Sequence, residues 1–264
     1  MMFFLKEYPI YLWHLLTGRR STFELMFAEL RSADTREYLN HVKSPDILDL
    51  GNGLLRPQFE LLRNAGYRVY GIDLINHPKQ SAKIFLYTIA RYLYNRRLFN
   101  PIGGAKGGLV CGDVTKLPFR NESFDLITTV AALEHFLNIP EVVRELARVL
   151  RPGGVVWAMI HLFSCPSGGH NVTLTQFPLR KMPPRVDAWD HLRLRKLPFT
   201  VPLNEWRRDQ YLKSFAERLD ILKHYCPFRE GAELLSPEIL AELPSYTADE
   251  LTSNSYVILA RKSH

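Results

Sequence analysis

Asp49, Gly51, Gly53 and Asp73 are the residues whose types and spacing say most about chemistry. An apolar run, Asp46-Ile-Leu-Asp-Leu50, gives out into two glycines one residue apart. A second apolar run, Arg68-Val-Tyr-Gly-Ile72, ends in Asp73. Glycines at such a point let the backbone come close to a ligand. A carboxylate at the end of the next strand can accept hydrogen bonds from both hydroxyls of a ribose. The pattern predicts a nucleoside-binding crevice at the carboxyl ends of adjacent parallel strands. It is not a pyrophosphate site, which needs Gly-x-Gly-x-x-Gly opening a helix. Here the residue three beyond Gly53 is Arg56, followed by Pro57.

A second set of residues has the types for proton transfer, since a histidine near its ordinary pKa is the usual base at neutral pH. Gly168-Gly-His170 sets a histidine on what reads as a flexible turn past a strand. Trp189-Asp-His-Leu-Arg193 puts Asp190 and His191 side by side with an aromatic platform and a cation. His170, His191 and Asp190 are therefore the candidate catalytic residues. His161, at a strand end, is a weaker candidate, and His135 with Glu134 reads as part of a helix start. No metal is expected, because neither His-x-x-x-His nor Cys-x-x-Cys spacing occurs.

The elements that must position these residues follow from alternation. Strand-like runs near 46–50, 68–73, 109–111, 124–130, 154–160, 219–222 and 255–260 are separated by helical stretches, the signature of a parallel sheet wound with helices. Pro140 to Leu150 has apolar residues at helical spacing and stops at Pro152-Gly-Gly. The whole chain, 1–264, reads as one domain. Residues 1–42 form a helical cap over the crevice, with a helix start at Ser32-Ala-Asp-Thr-Arg-Glu37. A helical insertion covers 74–108 and contains an aromatic, basic helix over 82–99. Its Gly103–Gly108 stretch is expected to be a flexible connection. A proline-rich insertion over 161–218 is where the wall of an acceptor pocket belongs.

The chain has 34 basic and 27 acidic residues among 264, a net charge of +7 that favours anionic partners without naming one. A hydrophobic content of 46% supports a packed core and argues against disorder. The three cysteines have no paired spacing, which places the protein in a reducing cytoplasm. The apolar N-terminus is interrupted by Lys6 and Glu7 and is too short to span a bilayer, though peripheral membrane contact fits it.

Further motifs extend the first set in order: Val110-Cys-Gly-Asp-Val114, Leu117-Pro-Phe to Phe124-Asp-Leu-Ile127, Ala132-Leu-Glu-His-Phe136 and Leu150-Arg-Pro-Gly-Gly-Val155. Over roughly residues 40 to 160 the series resembles the class I S-adenosylmethionine-dependent methyltransferases of the methyltransferase-11 type, with Leu55 at the motif's third glycine. The resemblance implies an α/β Rossmann-like fold with a mostly parallel seven-stranded sheet, the last strand antiparallel and helices on both faces. It implies S-adenosyl-L-methionine as cofactor and S-adenosyl-L-homocysteine as product. It places the cofactor on Asp49, Gly51, Asn52, Gly53, Asp73, Leu74, Asp113, Val114 and Val130, with Asp113 near the adenine amino group. The expected reaction is O-methylation of a hydroxylated small molecule or sugar. Alternatives are a lipid or quinone methyltransferase at a membrane surface, and a non-catalytic binding module. A nucleic-acid partner is not expected, since no RNA module or compact basic helix accompanies the basic residues.

Overall fold

A computed structural model describes residues 21–53, 56–76, 107–170, 186–199 and 201–263. Leu55, the 82–99 segment, the apolar N-terminus and residues 171–185 of the proline-rich insertion lie outside the described residues. In chain order the elements are α1 (Ser21–Leu39), β1 (Asp46–Leu50), α2 (Pro57–Asn64), β2 (Arg68–Ile72), β3 (Gly107–Val110), β4 (Phe124–Val130), α3 (Ile139–Val149) and β5 (Leu150–His161). There follow α4 (Asp190–Arg193), α5 (Arg208–Ala216), β6 (Asp220–Arg229), α6 (Pro237–Glu242), α7 (Ala248–Thr252) and β7 (Ser253–Arg261).

The strands form one sheet in the order β3-β2-β1-β4-β5-β7-β6, with β7 antiparallel to both its neighbours and the rest parallel. The strand order reverses between β1 and β4, and this switch point opens the crevice at their carboxyl ends. The central strands are buried on both faces, which is why β1 and most of β4 and β5 read as nearly continuous apolar runs. One face packs against α3 and α5 through Leu48, Ile127, Val142, Leu146, Val156 and Phe215. The other packs against α1 and α2 through Phe27, Phe59, Leu62, Leu126 and Trp157.

Local chemistry explains the boundaries. Asn138 caps α3 by accepting from the Glu141 N–H, Pro140 sits in its first turn, and Ile139, Val142, Val143, Leu146 and Val149 make its buried stripe. Pro152-Gly-Gly does not merely end this helix. It lies inside the start of β5, where pairing jumps from Phe124↔Leu150 to Leu126↔Val155, an irregularity that glycine accommodates. Gly107 and Gly108, expected to belong to a flexible connection, open β3 instead.

The expected helix start at Ser32 is also corrected, because α1 runs through it from Ser21 to Leu39. Tertiary contacts override the local capping signal. Asp34 accepts from Trp157 Nε1 at 3.0 Å, Tyr225 Oη at 2.6 Å and Lys223 Nζ at 2.6 Å, which nails α1 to β5 and β6. Burial works to raise the Asp34 pKa, but these three hydrogen bonds outweigh it and hold the carboxyl below its ordinary value. Asp34→Ala is expected to cost about 1–3 kcal/mol in urea unfolding. Because the folded-state pKa is depressed, the gap between wild type and variant is present above about pH 4 and closes as the pH falls below it. No helix among the described residues is long and apolar enough to cross a membrane.

Candidate active site

The crevice is built from four loops, at the carboxyl ends of β1, β2, β3 and β4. Asp49 is 2% exposed, and burial pushes its pKa up to about 7, opposed by Arg31 of α1. Its Oδ2 has no hydrogen-bond partner. Arg31 is buried too, its pKa lowered to about 10 by desolvation, and it donates to Gln58. Behind the crevice, α1 thus supplies charge as well as packing.

Gly51 has a φ of 71°, and a Cβ there would lie 2.5 Å from the Ala132 Cβ. Only glycine lets the β1 and β4 loops touch this closely. Gly53, at φ 65°, has nothing within 4 Å of its Cβ position and faces open space. Its N–H donates to Asp73 Oδ2 at 2.9 Å, while the Ile75 N–H donates to Oδ1 at 3.1 Å. Each oxygen keeps a second lone pair for a ligand. Asn52, though named with the crevice residues, is buried and accepts from Asn76 Nδ2 at 3.0 Å, so it braces the loop. Leu74 is 70% exposed beside Asp73. Asp113 Oδ1 accepts from the Thr115 N–H and hydroxyl, both at 2.8 Å, which holds its pKa below the ordinary carboxylate range. Val114 is buried against the core, and Val130 ends β4. An unpartnered buried carboxylate oxygen, an open glycine edge and a two-oxygen acceptor at the next strand suit an amino acid joined to a nucleoside.

Beyond β4 and β5 lies a cluster of imidazoles. His161 ends β5, and its Nδ1 lies 2.8 Å from His170 Nε2 with the rings stacked at 4.8 Å. The His135 ring meets His170 edge-on at 4.9 Å, and its Nδ1–H donates to the Pro202 carbonyl at 2.9 Å. Glu134 is 2% exposed, neither of its oxygens has a sound hydrogen bond, and burial raises its pKa to about 8. The turn carrying His170 is not flexible: residues 162–169 are buried, and a Cβ on Gly168 would sit 2.4 Å from the carbonyl oxygens of Leu162 and Phe163. His170 itself adopts a φ of 50°, unusual for a side-chain-bearing residue, as does nearby Ala131 at 49°.

Asp190 and His191 stand apart from this arrangement. Asp190 Oδ1 and Oδ2 accept from the Lys196 and Leu197 N–H groups, and His191 Nε2–H donates to the Phe163 carbonyl at 2.7 Å. Trp189 is fully buried, donating to Ser164 and Leu251, so it offers no platform to an acceptor. The segment fastens the 162–170 turn from behind.

Burial lowers the pKa of His161 well below its ordinary value, and those of His170 and His191 to about 4. Below about pH 6.5 the unfolded chain binds protons that these buried rings refuse. Stability is therefore expected to fall as the pH drops from about 6.5 through about 4. Urea midpoints compared at pH 7.5 and 5 check this, and a higher midpoint at pH 5 would refute it.

The sequence left out several members of the cluster. Ser167 Oγ–H donates to Glu230, and His161 Nε2 lies 2.8 Å from the same hydroxyl. Glu134, His135 and His170 bring ligand-type atoms within 4.8 Å of one another, as do His161, Cys165 and Glu230. His161, Cys165, Ser167 and His170 lie within ten residues, but Glu134 and His135 reach them from after β4 and Glu230 from after β6, so spacing carried no signal of all of them meeting.

Residues 48–158 match the family model described as Methyltransferase domain. The sterol 24-C-methyltransferase erg6 of Schizosaccharomyces pombe is 29% identical over 41% of this chain and 26% of its own length. The demethylmenaquinone methyltransferase of Mycolicibacterium paratuberculosis is 38% identical over 29% of this chain and 33% of its own. The chain thus spans about a quarter to a third of these relatives. A solved S-adenosylmethionine dependent methyltransferase from Mesorhizobium loti superposes with a TM-score of 0.52, at 18% identity, over 87% of this chain and 96% of its own. That likeness is one of fold.

Proposed function

We propose, from the premise that residues 48–158 belong to the class I S-adenosylmethionine-dependent methyltransferases, that this protein methylates a hydroxyl oxygen of a small polar acceptor such as a sugar. The observation that carries this reading is the pair of neutral, hydrogen-bonded imidazoles, His161 and His170, beyond β4 and β5. An aliphatic hydroxyl is a poor nucleophile and needs a base as its oxygen attacks.

When bound, the cofactor supplies a methyl group on a sulfonium, already electrophilic. Asp73 would accept hydrogen bonds from the ribose hydroxyls and Asp113 from the adenine amino group, with Asp49 on the side of the amino acid portion. Gly51 and Gly53 let the backbone approach without a side chain in the way. His170 takes the acceptor's proton, while Asp190 and His191, the other two candidates, hold the turn that carries it. The buried 162–169 turn keeps water from competing, so positioning contributes much of the acceleration. The three cysteines are free thiols, which fits a cytoplasmic location.

A second reading is favoured by the relatives named as sterol and demethylmenaquinone methyltransferases and by the exposure of Leu74, Ile75 and Leu109 at the β2–β3 edge. It makes the acceptor a lipid or quinone and the methylated atom a carbon.

The test begins with calorimetric titration of S-adenosylmethionine and S-adenosylhomocysteine. Micromolar binding supports the cofactor assignment; no binding by folded protein removes it and promotes a non-catalytic module. Transfer of labelled methyl to hydroxylated sugars, and not to quinones or sterols, separates the two readings.

A further inference from the structure

We propose that His161 Nε2, Cys165 Sγ and the Glu230 carboxylate, joined by the Ser167 hydroxyl, form a binding site for one divalent transition-metal ion of the zinc class. The ion clips the turn after β5 to the end of β6. The site does not depend on the methyl-transfer reading.

The donor atoms already stand at ligand spacing. The imidazole nitrogen, the sulfur and the carboxylate oxygen lie within 4.8 Å of one another. Cys165 Sγ is 3.3 Å from His161 Nε2 and 3.5 Å from Ser167 Oγ. Ser167 Oγ is in turn 2.8 Å from His161 Nε2 and hydrogen-bonded to Glu230 Oε1. Zinc bonds of about 2.3 Å to sulfur and about 2.0–2.1 Å to nitrogen set the two donors about 3.5 Å apart on a tetrahedron. Sulfur with imidazole selects zinc and its neighbours over magnesium or calcium, which take oxygen donors.

Charge balance points the same way. Glu230 is 4% exposed and Cys165 is fully buried. Glu230 Oε1 accepts from the Ser167 N–H at 3.0 Å and from the Ser167 hydroxyl, while Oε2 has no hydrogen-bond partner. Among the described residues no lysine or arginine pairs with Glu230. A carboxylate buried in this way is costly. A divalent ion on one thiolate, one carboxylate and one neutral imidazole sums to zero, so binding removes the buried charge. In the metal-free chain burial, and then the Glu230 charge, hold the Cys165 thiol protonated. The bound ion displaces that proton to solvent.

The orienting contacts of a metal site are present too. His161 Nδ1 lies 2.8 Å from His170 Nε2. Asn254 Nδ2 points at Cys165 Sγ from 3.8 Å and at Ser167 Oγ from 3.2 Å, and its Oδ1 accepts from Ser255 Oγ. A Cβ on Gly231 would meet the Pro166 ring at 2.4 Å, so packing presses the loop after β6 against the turn after β5.

A metal on His161 Nε2 leaves that ring's proton on Nδ1, which donates to His170 Nε2. The contact takes up the lone pair of neutral His170. The loaded protein is therefore expected to lose turnover on a hydroxyl acceptor, a consequence that, unlike the site, rests on the reading of His170 as the base.

The test uses the full chain stripped with EDTA, then titrated with cobalt(II) chloride, read by absorption, and with zinc chloride, read by calorimetry. One equivalent of each is expected to bind, cobalt with the intense near-ultraviolet band of a thiolate ligand. Cys165→Ala is expected to lose the band and weaken zinc by more than about 100-fold, beyond what losing an orienting contact costs. Should that variant fail to fold, Cys111→Ser with Cys226→Ser leaves Cys165 as the one thiol and is expected to keep the band. Folded chain that binds neither ion overturns the proposal. So does cobalt bound without the band, the result expected if Glu134, His135 and His170 held it instead. A band that survives Cys165→Ala, or is lost from the double variant, overturns it as well. Zinc loading is expected to lower kcat at least about tenfold. Unchanged kcat with zinc bound keeps the site and takes the base role from His170.

Discussion

Asp73→Ala is expected to raise the dissociation constant for S-adenosylhomocysteine by about 10- to 150-fold, the loss of one or two charge-assisted hydrogen bonds at about 1.5–3 kcal/mol. The carboxylate sits at the end of β2 with one backbone N–H on each oxygen, from Gly53 and Ile75. Those bonds aim it and leave its other lone pairs toward the crevice. Removing it also frees the Gly53 N–H, so the β1 loop loses part of its shape along with the ribose contact. Asp73→Asn keeps one acceptor oxygen and is expected to fall between wild type and alanine. Calorimetry reads the effect directly, and a smaller ligand-induced rise in Tm is its second signature. Unchanged affinity in folded Asp73→Ala would take Asp73 out of the site.

The crevice was legible in the sequence because its parts are local. Each of Asp49, Gly51, Gly53, Asp73 and Asp113 lies just at or past the end of an apolar run, and a parallel sheet brings such ends to one edge. The strands were legible for the same reason, as buried β-rich runs bounded by turns. The imidazole cluster and the groups bonded to it were not legible. His161 and His170 lie on one turn, but Glu230 reaches them from after β6 and Asn254 from β7. No periodicity links those positions. Trp189-Asp-His-Leu-Arg193 misled in the opposite direction: it has the residue types of a sugar site, yet tertiary packing buries its Trp, Asp and His to fasten a loop. Residue type reports chemistry that is available, while burial and hydrogen bonding decide whether it faces a ligand. Ser32 to Glu37 shows the same override at the level of secondary structure, since Asp34 is spent on Trp157, Tyr225 and Lys223 rather than on a cap.

His170→Ala is expected to lower kcat by about 10²- to 10⁴-fold on a hydroxyl acceptor while leaving the affinity for S-adenosylhomocysteine within about twofold. The separation of effects follows from position. His170 belongs to the turn after β5, whereas the residues proposed to hold the cofactor come from the ends of β1 and β2 and from the turn after β3. Burial lowers the His170 pKa to about 4, so the ring is neutral and able to accept a proton throughout the neutral range. Turnover should therefore rise as the pH climbs through about 4 and stay level above it, once the acid lability of the fold is controlled for. His191→Ala supplies the contrast. That ring is fully buried on the Phe163 carbonyl, so its loss should cost about 1–3 kcal/mol of stability and affect kcat through the fold alone. A fall of less than about tenfold in His170→Ala would mean that the acceptor needs no base. A phenol, an amine or an activated carbon fits that outcome, and the choice of nucleophile would pass from the imidazoles to the shape of the pocket.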